Sequence, residues 1–269
     1  MQKTIFITGS TDGIGLETAK RLVAEGHHVL LHGRNPEKLK AVQGALSSLR
    51  SDGRVEGYLA DLSSLRETRA LARTISEQSQ NIDVLINNAG VFKTSQTITE
   101  DGLDVRFVVN TLAPYLLTQA LLPLLKPTGQ VINLSSAAQS PVDLEALSGN
   151  RTINDDFEAY AQSKLALIMW TFHMVHELQR KGPVLIAVNP GSLLATKMVR
   201  EGFNIAGNDI GIGADILCRM ALEDAFQSAS GRYFDNDVGR FSDPHPDALD
   251  PKKNARVVQT IGNILEQIP

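Results

Sequence analysis

Tyr160 and Lys164 stand four residues apart in Tyr160-Ala161-Gln162-Ser163-Lys164, a spacing that places both side chains on one face of a helix. An ammonium near a phenol favours the phenolate and lowers a tyrosine pKa from its reference near 10. Such a pair can give or take a proton close to neutral pH. Ser135 and Ser136 close an apolar run at 131–134. Side chains alternate along a strand, so one of the two can face the same site. A serine there can donate a hydrogen bond to a carbonyl oxygen as negative charge develops on it. Asn110 interrupts an apolar helical segment, and Pro114 follows one helical hydrogen-bond step later. Proline has no N–H, so the Asn110 carbonyl loses its partner and is left to hold a water.

These groups need elements to position them. Asp155 and Glu158 form a capping box that starts the helix carrying Tyr160 and Lys164. Near the N-terminus an apolar run leads into Thr8-Gly9-Ser10-Thr11-Asp12-Gly13-Ile14-Gly15 and then a helical pattern. Glycines at this spacing let the backbone turn sharply and approach a pyrophosphate, while the helix start offers free N–H groups and partial positive charge. Strand patterns then alternate with helix patterns along the chain: strands at 29–31, 54–60, 83–87, 131–134, 184–188 and 232–234, and helices opened by Asn35-Pro36-Glu37 and by Leu65. This alternation predicts an α/β fold with a doubly wound parallel sheet. Ligands of such sheets bind at the carboxyl ends of the strands. Asp61-Leu62, Asn87-Asn88-Ala89-Gly90, Ser135-Ser136 and Asn189-Pro190-Gly191 all fall there.

The second strand ends in Leu31-His32-Gly33-Arg34-Asn35. An acid at this point would bind the ribose 2′-hydroxyl of NAD, whereas a base accommodates the 2′-phosphate of NADP. Arg34 therefore favours NADP (NADPH), and Asp12 works the other way by placing negative charge in the phosphate loop.

Composition sets the frame. With 269 residues the chain is expected to form a single domain, 1–269. A net charge of -4 argues against nucleic acid or an anionic membrane as main partner. No apolar run is expected to span a bilayer, no signal segment precedes the first strand, and the lone Cys218 reads as a buried core thiol, so the expected location is cytoplasmic. No metal site is expected: His173 and His176 share a helix face without further ligands.

Thr8-Gly9-(x3)-Gly13-Ile14-Gly15, Asn87-Asn88-Ala89-Gly90, Asn110, Ser136, Tyr160-(x3)-Lys164 and Pro190-Gly191, in this order, resemble the short-chain dehydrogenase/reductase family over nearly the whole chain. The run 109–118 and the long segment before Tyr160 are similar to retinol-dehydrogenase-like and carbonyl-reductase-like members. The resemblance implies a Rossmann-type domain and hydride transfer between nicotinamide and a carbonyl or alcohol carbon, with NADP reduction of ketones or aldehydes as the reading. It assigns proton donation to Tyr160, carbonyl polarisation to Ser136, tuning of Tyr160 and contact with the nicotinamide ribose to Lys164, and a water relay to Asn110. It implies cofactor contacts at Gly9, Ser10, Thr11, Gly13, Ile14, Gly15, Arg34, Asp61, Leu62, Asn88, Ala89, Gly90, Tyr160, Lys164, Pro190 and Gly191. An NAD-dependent secondary-alcohol dehydrogenase and a non-catalytic dinucleotide sensor are the alternatives. Two segments depart from the pattern. Residues 137–159 are longer than in most members, and the first threonine after Pro190-Gly191 is Thr196, one position late. Segments 137–159 and 192–209 are expected to border the substrate, 198–209 as a mobile lid. The helix at 161–178 is apolar on more than one face, which allows a homodimer.

Overall fold

The computed structural model describes residues 1–49, 52–179 and 181–268, apart from the Phe203 side chain. Its strands are β1 (Thr4–Ile7), β2 (His28–Gly33), β3 (Arg54–Leu59), β4 (Ile82–Asn87), β5 (Leu125–Leu134), β6 (Val184–Asn189), β7 (Arg232–Asp235) and β8 (Arg240–Ser242). They form one sheet in the order β3-β2-β1-β4-β5-β6-β7-β8. Every neighbouring pair is parallel except β7 with β8. The antiparallel edge strand β8 escapes sequence reading because it is three residues long with one apolar side chain, Phe241.

The helices are α1 (Gly13–Ala24), α2 (Pro36–Ser47), α3 (Leu65–Gln78), α4 (Val105–Phe107), α5 (Ala113–Leu121), α6 (Leu144–Leu147), α7 (Asp156–Glu177), α8 (Lys197–Phe203), α9 (Ile210–Leu222) and α10 (Pro251–Gln267). Alternating strand residues feed two cores. Ile5, Ile7, Val29, Leu31, Val84 and Ile86 pack towards α1, α2 and α9. Phe6, Leu30, Leu85 and Val131 pack towards α3, α5, α7 and α10. Strands buried on both faces explain the continuous apolar runs.

The apolar faces of α7 are met within the chain: Val257, Ile261, Ile264 and Leu265 of α10 share a core with Leu165, Ile168 and Trp170. The surface that suggested pairing with a second copy is thus largely filled by the chain's own C-terminal helix. The stretch Val105–Leu124 is, contrary to the sequence expectation, long and apolar enough by composition to cross a bilayer, with a mean hydropathy of 1.4, but 72% of it is buried in the fold. Cys218 is buried, as expected, and burial pushes its thiol up to about 12.

The strand order reverses between β1 and β4, so a crevice opens at their carboxyl ends. From β3 to β6 that edge carries Asp61, Arg34, the glycine turn, Asn88, Ser136 and Pro190.

Candidate active site

The glycine turn is built by backbone conformation and close packing. Gly9 and Gly13 have φ of +64° and +59°, which only glycine adopts at little cost. A Cβ at Gly15 would stand 2.4 Å from Asn88 Nδ2. The Asn88 amide donates to the carbonyls of Thr8 (2.8 Å) and Gly9 (3.1 Å), and the Thr8 hydroxyl accepts from the N–H groups of Asn88 and Ala89. Asn88 therefore shapes the loop and has its amide nitrogen committed to it. Ser10 is placed in the same way. It is fully buried, and its Oγ accepts from the His32 N–H (2.9 Å) instead of facing the crevice. The Leu62 side chain is likewise in the core, which leaves its backbone for any ligand. Thr11 packs over Gly33, and Ile14 lies beside Gly213.

His32 was not singled out by sequence. Its Nδ1 accepts from the Gly9 N–H (3.0 Å), so its Nε2 carries the proton and donates to the Ala60 carbonyl (3.1 Å). Burial lowers its pKa to about 4, and the neutral ring ties the glycine turn to β3.

Arg34 is exposed at the end of β2, with its guanidinium 4.0 Å from the Asp61 carboxylate. Asp12 caps α1 by accepting from the Gly13 N–H and is paired with Lys38 of α2 at 2.5 Å. The Lys38 hydrogen bond outweighs burial and holds the Asp12 carboxyl below its usual range. Lys38 was missed because helix periodicity alone makes it a solvated surface residue.

At the opposite end of the crevice, Tyr160 and Lys164 occupy the second and third turns of α7. The capping box is half formed: Asp155 accepts from the Glu158 N–H (2.7 Å), but the Glu158 carboxylate turns to Ser140 Oγ (2.7 Å) and Gln162 Nε2 (2.9 Å). Those bonds fold the 137–159 segment onto α7, with Ala146 and Leu147 buried beneath it. The two serines divide as alternation requires. Ser135 Oγ is buried and donates to the Lys164 carbonyl (2.9 Å), while Ser136 Oγ accepts from the Ala138 N–H (3.1 Å) and acts on the Tyr160 phenol, whose pKa it lowers.

Asn110 lies in a π-helical turn, Val108–Leu112, where Pro114 removes the N–H that would close an ordinary turn. Its side-chain amide donates to the Val91 carbonyl and to Ser163 Oγ, both at 2.9 Å, and accepts from the Val91 N–H (2.8 Å). Gly90 sits between it and the lysine: a Cβ there would lie 3.4 Å from Asn110 Oδ1 and 3.5 Å from Lys164 Nζ. All four predicted catalytic side chains therefore surround one space.

The electrostatics differ from the sequence expectation. Lys164 is buried, donates to the Leu134 carbonyl (2.7 Å), and lies 5.7 Å from the Tyr160 ring centroid. Burial lowers its pKa to about 7. Burial also raises Tyr160, against a smaller lowering by Ser136. The net shift of the phenol is upward, because desolvation disfavours its charged form.

Beyond β6, Pro190 O accepts from Asn236 Nδ2 (3.0 Å), and Gly191 has φ +126°. Burial would raise Asp237, but hydrogen bonds from Ser192 and Asn189 hold its carboxyl low and anchor this loop. Thr196 caps α8, accepting from the Val199 N–H, and its methyl would be 3.7 Å from a Gly13 Cβ. Of the segment 198–209 expected as a lid, 198–203 lies in α8, which begins after Thr196 beside the phosphate loop. His173 pairs with Glu177 (3.3 Å), and among the described residues no group of three or more potential metal ligands converges.

Such a site on such a sheet has relatives. The short chain dehydrogenase profile matches residues 3–206. The chain belongs to the short-chain dehydrogenase family. Within that family it is 32% identical to mouse retinol dehydrogenase 13 over 95% of this chain and 81% of that protein. It is 35% identical to human polyprenol dehydrogenase over 70% of this chain and 60% of that one. Among solved structures, an uncharacterised protein of Mycobacterium Paratuberculosis superposes with TM-score 0.80 at 26% identity, covering 98% and 94% of the two chains. A Burkholderia cenocepacia short chain dehydrogenase in complex with NADP superposes with TM-score 0.69 at 25% identity, covering 88% and 97%.

Proposed function

We propose that this short-chain dehydrogenase is an NADP-dependent reductase of ketones or aldehydes. The observation that carries the reading is the Tyr160 ring with buried Lys164 5.7 Å from its centroid, at one end of a crevice whose other end bears Arg34 and Lys38. The crevice fits a dinucleotide. The first-turn N–H groups of α1 beyond Gly13, whose N–H is capped by Asp12, lack intrahelical acceptors and suit the pyrophosphate, Arg34 and Lys38 suit a 2′-phosphate, Asp61 and the Leu62 backbone border the adenine end, and Lys164 suits the nicotinamide ribose. Lys38 neutralises Asp12, which removes the sequence's main objection to NADP. The NADP complex of the Burkholderia relative supports the cofactor, and the names of the retinol and polyprenol relatives support chemistry at an alcohol/carbonyl carbon.

When bound, the nicotinamide supplies or takes the hydride. This chain's own work is proton and charge management. Tyr160 Oη protonates the substrate oxygen, Ser136 Oγ stabilises the charge developing there, and Lys164 is poised by burial to shed or take a proton near pH 7.

The test is fluorescence titration of the purified protein with NADPH and NADH, repeated on Arg34→Ala. A preference for NADPH that collapses in the variant is expected. Equal affinities, or tighter NADH, would favour the NAD-dependent alcohol dehydrogenase, for which the Arg34–Asp61 approach is the structural argument. Binding without turnover on any carbonyl or alcohol would favour the sensor.

A further inference from the structure

Phe92 follows Gly90 by two residues and is 5% exposed. Its ring stands edge-to-face against Tyr160, with centroids 5.3 Å apart and planes at 62°. It meets Phe157 in the same way, at 6.4 Å and 83°. Phe157 lies one turn before Tyr160 on α7 and is 49% exposed, so an aromatic band runs from solvent to the proton-donating phenol. From above, the last turn of α8 rests on Phe92: a Cβ at Gly202 would stand 2.7 Å from the ring carbons Cδ1 and Cε1. Lys93 fastens this contact, with Nζ donating to the Gly202 carbonyl (3.1 Å) and lying 5.6 Å from the Phe92 ring centroid. At the start of α8, the Met198 methyl would be 3.7 Å from a Gly90 Cβ, the same point that neighbours Lys164 Nζ and Asn110 Oδ1.

Through Gly202 the α8 helix covers Phe92 at a position that carries no side chain, and its first turn reaches the space around Lys164. A substrate that reached Tyr160 from this side would have to displace α8 from Phe92 and replace that cover with its own surface. A flat apolar group restores burial of the ring, whereas a small or hydroxylated group leaves the ring in water.

We propose that Phe92 is the specificity-determining residue of this site, a wall shared by the α8 lid and Tyr160 that selects carbonyl compounds bearing a flat aromatic or conjugated apolar group beside the reacting carbon. The inference rests on the carbonyl-reductase reading, and its test separates the two.

Wild type, Phe92→Leu, Phe92→Ala and Gly202→Ala are compared after NADPH titration, which is expected to agree within about 2-fold and so reports folding independently. With benzaldehyde, Phe92→Ala lowers kcat/KM by about 10- to 100-fold, and Phe92→Leu by less. With butanal the change stays under about 3-fold. Limited trypsinolysis of the NADPH-loaded protein, read by mass spectrometry at Lys197 and Arg200, gives cleavage about 10-fold faster in Phe92→Ala and Gly202→Ala than in wild type. Equal losses on both aldehydes, or cleavage rates equal to wild type, overturn the proposal. A wild type that binds NADPH but reduces no carbonyl overturns the reductase reading and the selection with it. Unaltered cleavage beside normal reduction overturns the wall alone.

Discussion

Lys164 carries an electrostatic cost in the site, because its ammonium is buried against a carbonyl with no carboxylate among its described contacts. Its folded pKa, about 7, lies below its ordinary 10.5. The unfolded chain therefore binds more protons between those values, so the penalty is full below pH 7 and vanishes as pH rises through 10.5. Lys164→Met should then melt higher than wild type at pH 7, with a gap that narrows towards pH 10, while reduction is lost. Melting curves at several pH values check this, and a gap independent of pH would refute the assignment. If Tyr160 is the proton donor of the proposed reaction, Tyr160→Phe should lower turnover by about 10²- to 10⁴-fold with NADPH affinity largely retained. These residues were legible because four-residue spacing on a helix and alternation on a strand settle which side chains can meet. The direction of the Tyr160 shift was not legible, since it depends on how much water the fold removes from both groups. The same limit hid Phe92, an ordinary apolar residue until its ring is seen between Gly202 and Tyr160.

Between elements, the contacts that hold the site are polar and buried. Arg106, 1% exposed, binds Asp104 through Nε (2.8 Å) and Nη2 (2.5 Å) and reaches Asp156 through Nη1 (2.5 Å). The hydrogen bonds and charges of both carboxylates raise its pKa against the opposing effect of burial. This fastens the segment bearing Asn110 to the first residue of α7, and Ser163 repeats the link one turn from Tyr160. Arg106→Met strands two carboxylates, one of them buried, and should cost about 3–5 kcal/mol in denaturant unfolding, far more than Asp156→Asn. His32 does the corresponding work under the glycine turn. Its folded pKa, about 4, is below the ordinary 6.5, so the neutral ring is favoured by folding and stability is lost as pH falls from 6.5 towards 4. The full difference is about 3 kcal/mol. His32→Gln should flatten that acid limb while weakening NADPH binding, because the Gly9 N–H loses its acceptor geometry. Neither device shows in hydrophobic periodicity, which reports buried apolar faces and is silent on paired charges.

Across the whole molecule, the parallel sheet was legible because its strands are apolar on both faces, and the crevice followed from the strand order. What the C-terminal region contributes was not legible, since it bears no motif and lies beyond the residues 3–206 of the family match. The structure ties it to the reaction. Tyr233 Oη donates to the Ser136 carbonyl (3.2 Å), Gln139 Nε2 donates to the same oxygen (2.9 Å), and Gln139 Oε1 accepts from the His245 N–H (2.7 Å). The loop that aims Ser136 at Tyr160 is thus held by β7 and by the turn before α10, which in turn packs on α7. Burial raises the Tyr233 phenol, so it stays a neutral donor throughout the working range. Tyr233→Phe keeps the ring in the core and removes one donor, a change of about 1 kcal/mol in stability. If the C-terminal region positions the serine, kcat falls several-fold more than that loss of stability explains, and NADPH affinity is unchanged. If Tyr233 only fills the core, kcat for the folded fraction matches wild type. Steady-state kinetics normalised to the NADPH-binding fraction decides between them, and Gln139→Ala should give the same split, because both donors converge on one carbonyl oxygen.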